Sequence, residues 1–187
     1  KLGDKQVARA KTFVVRDAKS LAQLKQRLRM KEVARLRRGI VGVLPLGFCT
    51  SSRKVCLNGF LKENIKKVEV DDDLIVTFDL LSLSLSAGEL ALPSIQAEVD
   101  GDMRRVMFHW VKQPLMPYMF KDDRLYGVVY ESGLRRCRKV ELGTRGVSGD
   151  MAWELPRDWD AGKLVVYGFA VSADGKKASG TLGVCRS

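Results

Sequence analysis

The sequence predicts an α+β protein, with a helical segment in the N-terminal half and an antiparallel β-sandwich after it. Three observations carry that prediction. Apolar residues recur at spacings of three and four between Leu21 and Val68. From Asp71 onward the period changes to two. Seven short β-type runs, punctuated by Gly-containing turns, then fill the chain from Ile95 to Cys185. Helical spacing marks an amphipathic helix, a period of two marks a half-buried strand, and evenly spaced short strands mark a sandwich. We divide the 187-residue chain into an N-terminal segment, residues 1–90, and a sandwich, residues 91–187.

Lys5 to Arg9 and Thr12 to Arg16 read as two short strands or a small hairpin. Ser20 with Gln23 three residues later has the pattern of a capping box and starts a helix. Leu21, Leu24 and Leu28 form its apolar stripe, which Val33, Leu36, Ile40 and Leu44 continue after a phase slip near Met30 that predicts a bend. Gly39 and Gly42 weaken this helix and Pro45 stops it. A second helix is predicted over residues 51–67, with Val55, Leu57, Phe60, Leu61, Ile65 and Val68 as its apolar positions. Packing the two helices as an antiparallel pair is the simplest way to bury both stripes.

Asp71-Asp72-Asp73 reads as a turn before the β-type run 74–81. Leu81, Leu83 and Leu85 alternate with Ser82, Ser84 and Ser86, which predicts a half-buried strand. The sandwich strands are predicted over residues 95–99, 104–111, 124–131, 138–142, 150–155, 164–172 and 178–185. Turns fall at Asp100-Gly101, Ser132-Gly133, Ser148-Gly149 and Asp174-Gly175.

Composition narrows the class of function. Apolar residues make up 45% and charged residues 29%, which excludes a disordered or collagen-like chain. The longest apolar run, Ile40 to Phe48, is interrupted by Pro45. It falls well short of the roughly 20 residues a membrane-spanning helix needs. The net charge of +11 is concentrated: residues 1–39 hold 13 basic and 3 acidic side chains, while residues 40–187 hold 20 and 19. Such asymmetry points to an anionic partner, whereas its plainer reading is a solvated helix face that aids solubility. The residues that would meet a polyanion are Arg16, Lys25, Arg29, Arg35, Arg37 and Arg38. Phosphate binding needs only spaced cations, but ordered single-strand binding also needs exposed aromatics, and only Phe13 lies among them.

Pro114 and Pro117 bracket an apolar loop, carrying Met116, Tyr118, Met119 and Phe120, between the second and third sandwich strands. Such a loop is either a partner-binding tip or a segment packed on the helices. Cys49, Cys56, Cys137 and Cys185 show no C-x-x-C spacing, and the single histidine, His109, is remote from all of them, so no zinc site is read. Without a signal-peptide pattern or a disulfide framework, a cytoplasmic setting is favoured.

Little in the sequence suggests catalysis. His109 alternates with Phe108 and Trp110 and so points to the opposite face of its strand. G-x-S-x-G, P-loop and G-x-G-x-x-G patterns are all missing. The Asp71–Asp73 run does not have the spacing of a calcium loop. Glu154 with Asp158, or Glu131 with Glu141, are the carboxylates that folding could pair. We therefore assign no catalytic residue, metal ligand or cofactor. The leading expectation is a non-enzymatic protein–protein interaction or assembly module, acting on a protein partner or on itself. Nucleic-acid binding through residues 1–39 is the alternative.

Two resemblances add to this reading. Residues 92–184 resemble a fibronectin type III or related immunoglobulin-like domain. Val106-x-Phe108-x-Trp110 looks like its second strand and Tyr126-x-Val128-x-Tyr130 like its third. Trp153-x-Leu155-Pro156 looks like the end of the fifth, and Ala170 to Gly175 like the hairpin joining the last two. Leu164 stands where that family usually places a corner tyrosine. This resemblance implies a fold and leaves function open. The whole chain also resembles a family of Bacteroidetes proteins that share a domain of unknown function. Lys1-Leu2-Gly3 resembles the end of their Gly-rich S-G-K-[VL]-G segment, and Val14-Val15-Arg16-Asp17 their V-V-R-[ST] motif. Gln23-Leu24-Lys25-Gln26-Arg27 resembles their Q-L-x-Q-R helix, and Val171 to Gly175 their V-S-A-D-G ending. It implies a bacterial origin and a Gly-rich stretch before Lys1.

Overall fold

The computed structural model describes residues 19–187. The strands expected over residues 5–16, and with them Arg16, lie outside the described residues. The Ser20 hydroxyl accepts from the Gln23 N–H at 3.4 Å and caps helix α1, Leu21–Ile40. This helix runs through Met30 without interruption and ends five residues before Pro45. Pro45 instead opens a one-turn helix α2, Leu44–Gly47, in the first turn, where its missing N–H costs nothing. The buried face of α1 is Val33, Leu36 and Ile40, whereas Leu21 is exposed.

Helix α3, Arg53–Asn64, continues as a 3-10 turn over Ile65–Lys67. Its buried positions are Cys56, Phe60 and Asn64, while Val55 faces solvent, contrary to the predicted stripe. Asn64 explains both this and the fate of the leucine–serine alternation. Its amide donates to the Phe60 and Ser84 carbonyls (2.8 and 2.9 Å) and its Oδ1 accepts from the Ser84 N–H (2.8 Å). Thr181 Oγ1 accepts from the N–H groups of Leu85 and Ser86. Side chains thus take the backbone groups that a sheet would have paired. Leu83 and Leu85 are buried as the alternation predicts, but in an extended segment after a 3-10 turn, Leu80–Ser82, and not in a strand. The run 74–81 contributes only β2, Val76–Thr77, paired with β1, Glu69–Val70, around the Asp71–Asp73 turn.

The sandwich strands are β3 (Ile95–Asp100), β4 (Arg105–Trp110), β5 (Arg124–Glu131), β6 (Arg136–Thr144), β7 (Gly149–Glu154), β8 (Leu164–Val171) and β9 (Leu182–Arg186). They form two antiparallel sheets, in the orders β3-β4-β7 and β6-β5-β8-β9. The last strand starts later than predicted, because Ala178 makes only an isolated bridge to Val171. Between the sheets, Val106, Phe108 and Trp110 pack with Leu125, Val129, Val140, Leu142 and Val166. Tyr126, Val128 and Tyr130, the alternate residues of β5, face away from that core. They join Tyr167 and Phe169 of β8 against Val33, Leu36, Ile40, Leu44 and Phe60 of the helices.

The molecule is therefore a three-layer stack: helices, a central four-stranded sheet and an outer three-stranded sheet. All eight residues of β8 are buried. Its sequence, Leu-Val-Val-Tyr-Gly-Phe-Ala-Val, is apolar throughout, as suits a strand covered on both faces. The Tyr167 hydroxyl donates to the Leu80 carbonyl and ties the sheet to the N-terminal segment. Trp110 is buried and stands opposite Gly149, whereas Trp153 stands opposite Val106 with its ring 5.7 Å from that of Trp159. Cys137 and Cys185 lie on β6 and β9, at opposite edges of one sheet, and all four thiols are free.

Candidate functional site

Helix α1 does not present its cations as one stripe. Lys25 pairs with Asp72 at 2.6 Å, and this contact holds the Asp72 carboxyl below the usual carboxylate range. Arg29 is half-buried and donates through Nε to the Val68 carbonyl (3.1 Å). Arg35 reaches Glu32 at 3.4 Å, one helical turn away. Arg37 lines a small cleft with Leu57 and Leu61, and Arg38 is exposed near the helix end. Three of the six predicted basic residues are thus engaged within the fold, and Arg16 lies outside the described residues. Arg38 instead meets Arg135, Arg136, Arg138 and Lys139 of the β5–β6 hairpin around one groove. The sequence signal for that cluster is the run Leu-Arg-Arg-Cys-Arg-Lys, which a reading confined to residues 1–39 misses.

The apolar loop stands at one end of the sandwich, between β4 and β5. Leu115, Met116, Tyr118 and Phe120 are 74%, 57%, 57% and 52% exposed, and Met119 is half-buried. Among the described residues, the hydrogen bonds that tie the loop run to the Ala91–Leu92 segment and to the region of Asp123 and Arg145, and none runs to the helices. Ala91 donates its N–H to the Tyr118 carbonyl (3.0 Å), and Asp123 Oδ2 accepts from the Phe120 N–H (3.1 Å).

Arg145 is the fastener, and no pattern of neighbouring residues distinguishes it in the sequence. Its guanidinium is 1% exposed. It donates to Asp123 Oδ2 (3.1 Å), to the carbonyls of Ala91 (2.8 Å) and Leu92 (3.2 Å), and to the Gln113 side chain. Burial pushes its pKa down from the ordinary value, and the Asp123 charge pushes it back. The Arg145 backbone also bonds both sides of the loop, accepting from Gln113 N–H (3.3 Å) and donating to the Asp123 carbonyl (2.9 Å). Four large apolar side chains are therefore displayed on a fixed base.

His109 lies on the outer face of the three-stranded sheet, half-exposed, with Nδ1 2.6 Å from Asp150 Oδ1. Gln96 and Asp150 are its neighbours across the strands, so no nucleophile stands in register beside it. Of the carboxylates read as possible pairs, Glu131 and Glu141 are not brought together. Glu131, which is buried, caps the hairpin turn by accepting from the N–H groups of Gly133 (3.2 Å) and Leu134. Glu131 stands opposite Arg136 and Glu141 opposite Tyr126, so they are well separated along the hairpin. Asp158 is held by Arg136 (2.8 Å). Among the described residues no three His, Cys, Asp or Glu side chains come together as a metal site. No helix among them is long and apolar enough to cross a membrane. Comparison with protein-family models and with curated proteins finds no match to this chain.

Proposed function

We propose that this chain is a non-enzymatic protein–protein interaction module that docks through the tip between β4 and β5. The observation that carries the reading is the exposure of Leu115, Met116, Tyr118 and Phe120 on a loop fixed by the buried Arg145. Exposed apolar side chains are costly to solvate, and a contiguous set of them on a rigid base is how docking surfaces are built. Aromatic residues and Met are the types enriched at such interfaces. A tip held in one conformation loses little entropy on docking, which favours affinity.

Site-specific photo-crosslinking tests this reading. A photoreactive phenylalanine analogue at Tyr118 is expected to crosslink one defined polypeptide, or a second copy of the chain, in cells expressing the full protein. The same analogue at Asp102, on the β3–β4 turn, is the control position. Phe120→Asp is expected to abolish the Tyr118 crosslink while leaving the circular dichroism spectrum unchanged. Crosslinking equal at both positions, or insensitive to Phe120→Asp, would overturn the reading.

A further inference from the structure

Among the described residues, the order β6-β5-β8-β9 leaves β6 as an edge strand. A groove of about 530 Å³ runs along it, with Arg38 and Gly39 of α1 on one wall and residues 135–139 on the other. Successive side chains of a strand point to opposite faces. A groove touched by four consecutive residues of β6, Arg136 to Lys139, therefore opens on the edge of the strand and not on one of its faces. Every second residue of an edge strand turns its N–H and C=O away from its only neighbour. Among the described residues, the backbone of 135–139 bonds to no segment other than β5. The Cys137 carbonyl accepts from the neighbouring Arg138 guanidinium, at 3.2 Å.

The charge of the groove is one-sided. Among the described residues Arg38, Arg135, Arg136, Arg138 and Lys139 line it, and no carboxylate does. Only Arg136 has an ion-pair partner among the described residues, Asp158. Charged side chains on an edge strand normally keep other strands away. Five cations do this for a neutral or basic strand, and for another copy of the same edge. An acidic strand is the case in which the same charges attract.

We propose that this groove takes an extended acidic segment of a polypeptide, which adds to the edge of β6 as a fifth strand and sets its carboxylates against Arg38, Arg136, Arg138 and Lys139. Main-chain hydrogen bonds supply affinity in this mode of recognition, and side chains supply selectivity. A nucleic acid would satisfy the cations but leave the strand edge unpaired, so the geometry favours a polypeptide. The inference rests on the reading of the chain as a polypeptide-binding module but uses a different surface. Arg145, which fastens the apolar tip, lies just beyond the other end of β6, so the two surfaces occupy opposite ends of one strand.

The test uses the full chain and a fluorescent peptide of alternating glutamate and threonine, about ten residues long to match a strand. Anisotropy is read at near-physiological salt, alongside a lysine–threonine peptide, single-stranded DNA and duplex DNA. The acidic peptide is expected to bind and the basic one not to. Arg138→Glu combined with Lys139→Glu should weaken binding by about tenfold or more, equivalent to roughly 1.4 kcal/mol. Hydrogen exchange should show new protection of the amides of residues 136–139 when the peptide is bound. Phe120→Asp should leave this binding unchanged, which separates failure of the groove from failure of the tip. If the double reversal alters folding, Arg38→Gln with Arg138→Gln replaces it, and a several-fold loss is still expected. Failure of the acidic peptide to bind, binding without protection of β6, or tighter binding of either DNA would overturn the proposal.

Discussion

Arg145 and Asp123 form an ion pair at 3.1 Å in which each side chain is only 1% exposed. The pair joins the end of β6 to the end of the β4–β5 loop, so the shape of the apolar tip depends on it. Removing one partner of a buried pair leaves the other charged without compensation, at a cost of about 3–5 kcal/mol. Arg145→Met is therefore expected to lower the urea midpoint strongly and to make the loop sensitive to limited proteolysis. Adding Asp123→Asn removes the stranded charge and keeps an acceptor for the Phe120 N–H, so the double variant should recover part of the loss. A double variant less stable than Arg145→Met alone would show that the charge pairing is not the controlling contact.

Gly39 and Gly42 should respond in opposite directions to the same substitution. A Cβ on Gly39 would lie 2.3 Å from the Arg135 carbonyl oxygen and 3.1 Å from the Tyr130 ring. One on Gly42 would meet nothing within 4 Å among the described residues. Helix propensity alone favours alanine over glycine by about 1 kcal/mol, yet Gly39→Ala must displace backbone, and overpacking typically costs about 1–3 kcal/mol. Gly39→Ala is expected to lower the melting temperature, and Gly42→Ala to leave it unchanged or raise it. The reverse order would mean that α1 does not rest on the hairpin.

Trp110 sits over Gly149, and a Cβ there would come within 2.5 Å of its indole Cζ2. Trp110→Ala should cost about 3–5 kcal/mol. Gly149→Ala should also destabilise, because the indole has nowhere to move in the inter-sheet core. In a Trp110→Phe background the smaller ring leaves room, so the cost of Gly149→Ala should fall. A double-mutant cycle by denaturant unfolding should give a coupling on the order of 0.5–3 kcal/mol. Additive effects would indicate that the indole does not occupy this position.

Periodicity made the α+β order, the first helix cap and the sandwich strands readable in the sequence. It was insufficient where side chains replaced a sheet as the partner of extended backbone, as Asn64 and Thr181 do for Ser84 to Ser86. The two-sided burial of β8 was written in its unbroken apolar run and places the helices on the four-stranded sheet. The apolar tip was readable as a cluster of large apolar residues between two prolines. Its fastener was not, because nothing in a single arginine at position 145 distinguishes a buried ion pair from a surface charge. The basic groove escaped for a related reason: Arg38 and Arg138 are 100 positions apart in the chain, and only the docking of α1 on the hairpin joins them.

The Cys137 thiol, packed against the helical core, gives a prediction about pH. Burial pushes its pKa from 9.0 up to about 11, against a smaller opposing effect of Arg138. At pH 8 a thiol with that pKa is roughly one part in a thousand thiolate, and the thiolate is the reactive form. Alkylation of Cys137 by iodoacetamide, followed by mass spectrometry, should rise about tenfold per pH unit between pH 8 and 10, with no plateau. The same shift bears on stability. The folded-state pKa is raised, so between about pH 9 and 11 the unfolded chain has lost a proton that the folded chain retains. The contribution is present in full below pH 9 and is lost as pH climbs through this window, at a limiting slope of about 1.4 kcal/mol per pH unit. Burial shifts Tyr130 and Tyr167 upward as well, so they steepen the decline in more alkaline solution. Cys137→Ala should flatten the first part of the decline and leave the tyrosine part in place. An unchanged alkaline profile in that variant, or rapid alkylation of Cys137 at neutral pH, would place the thiol outside the core.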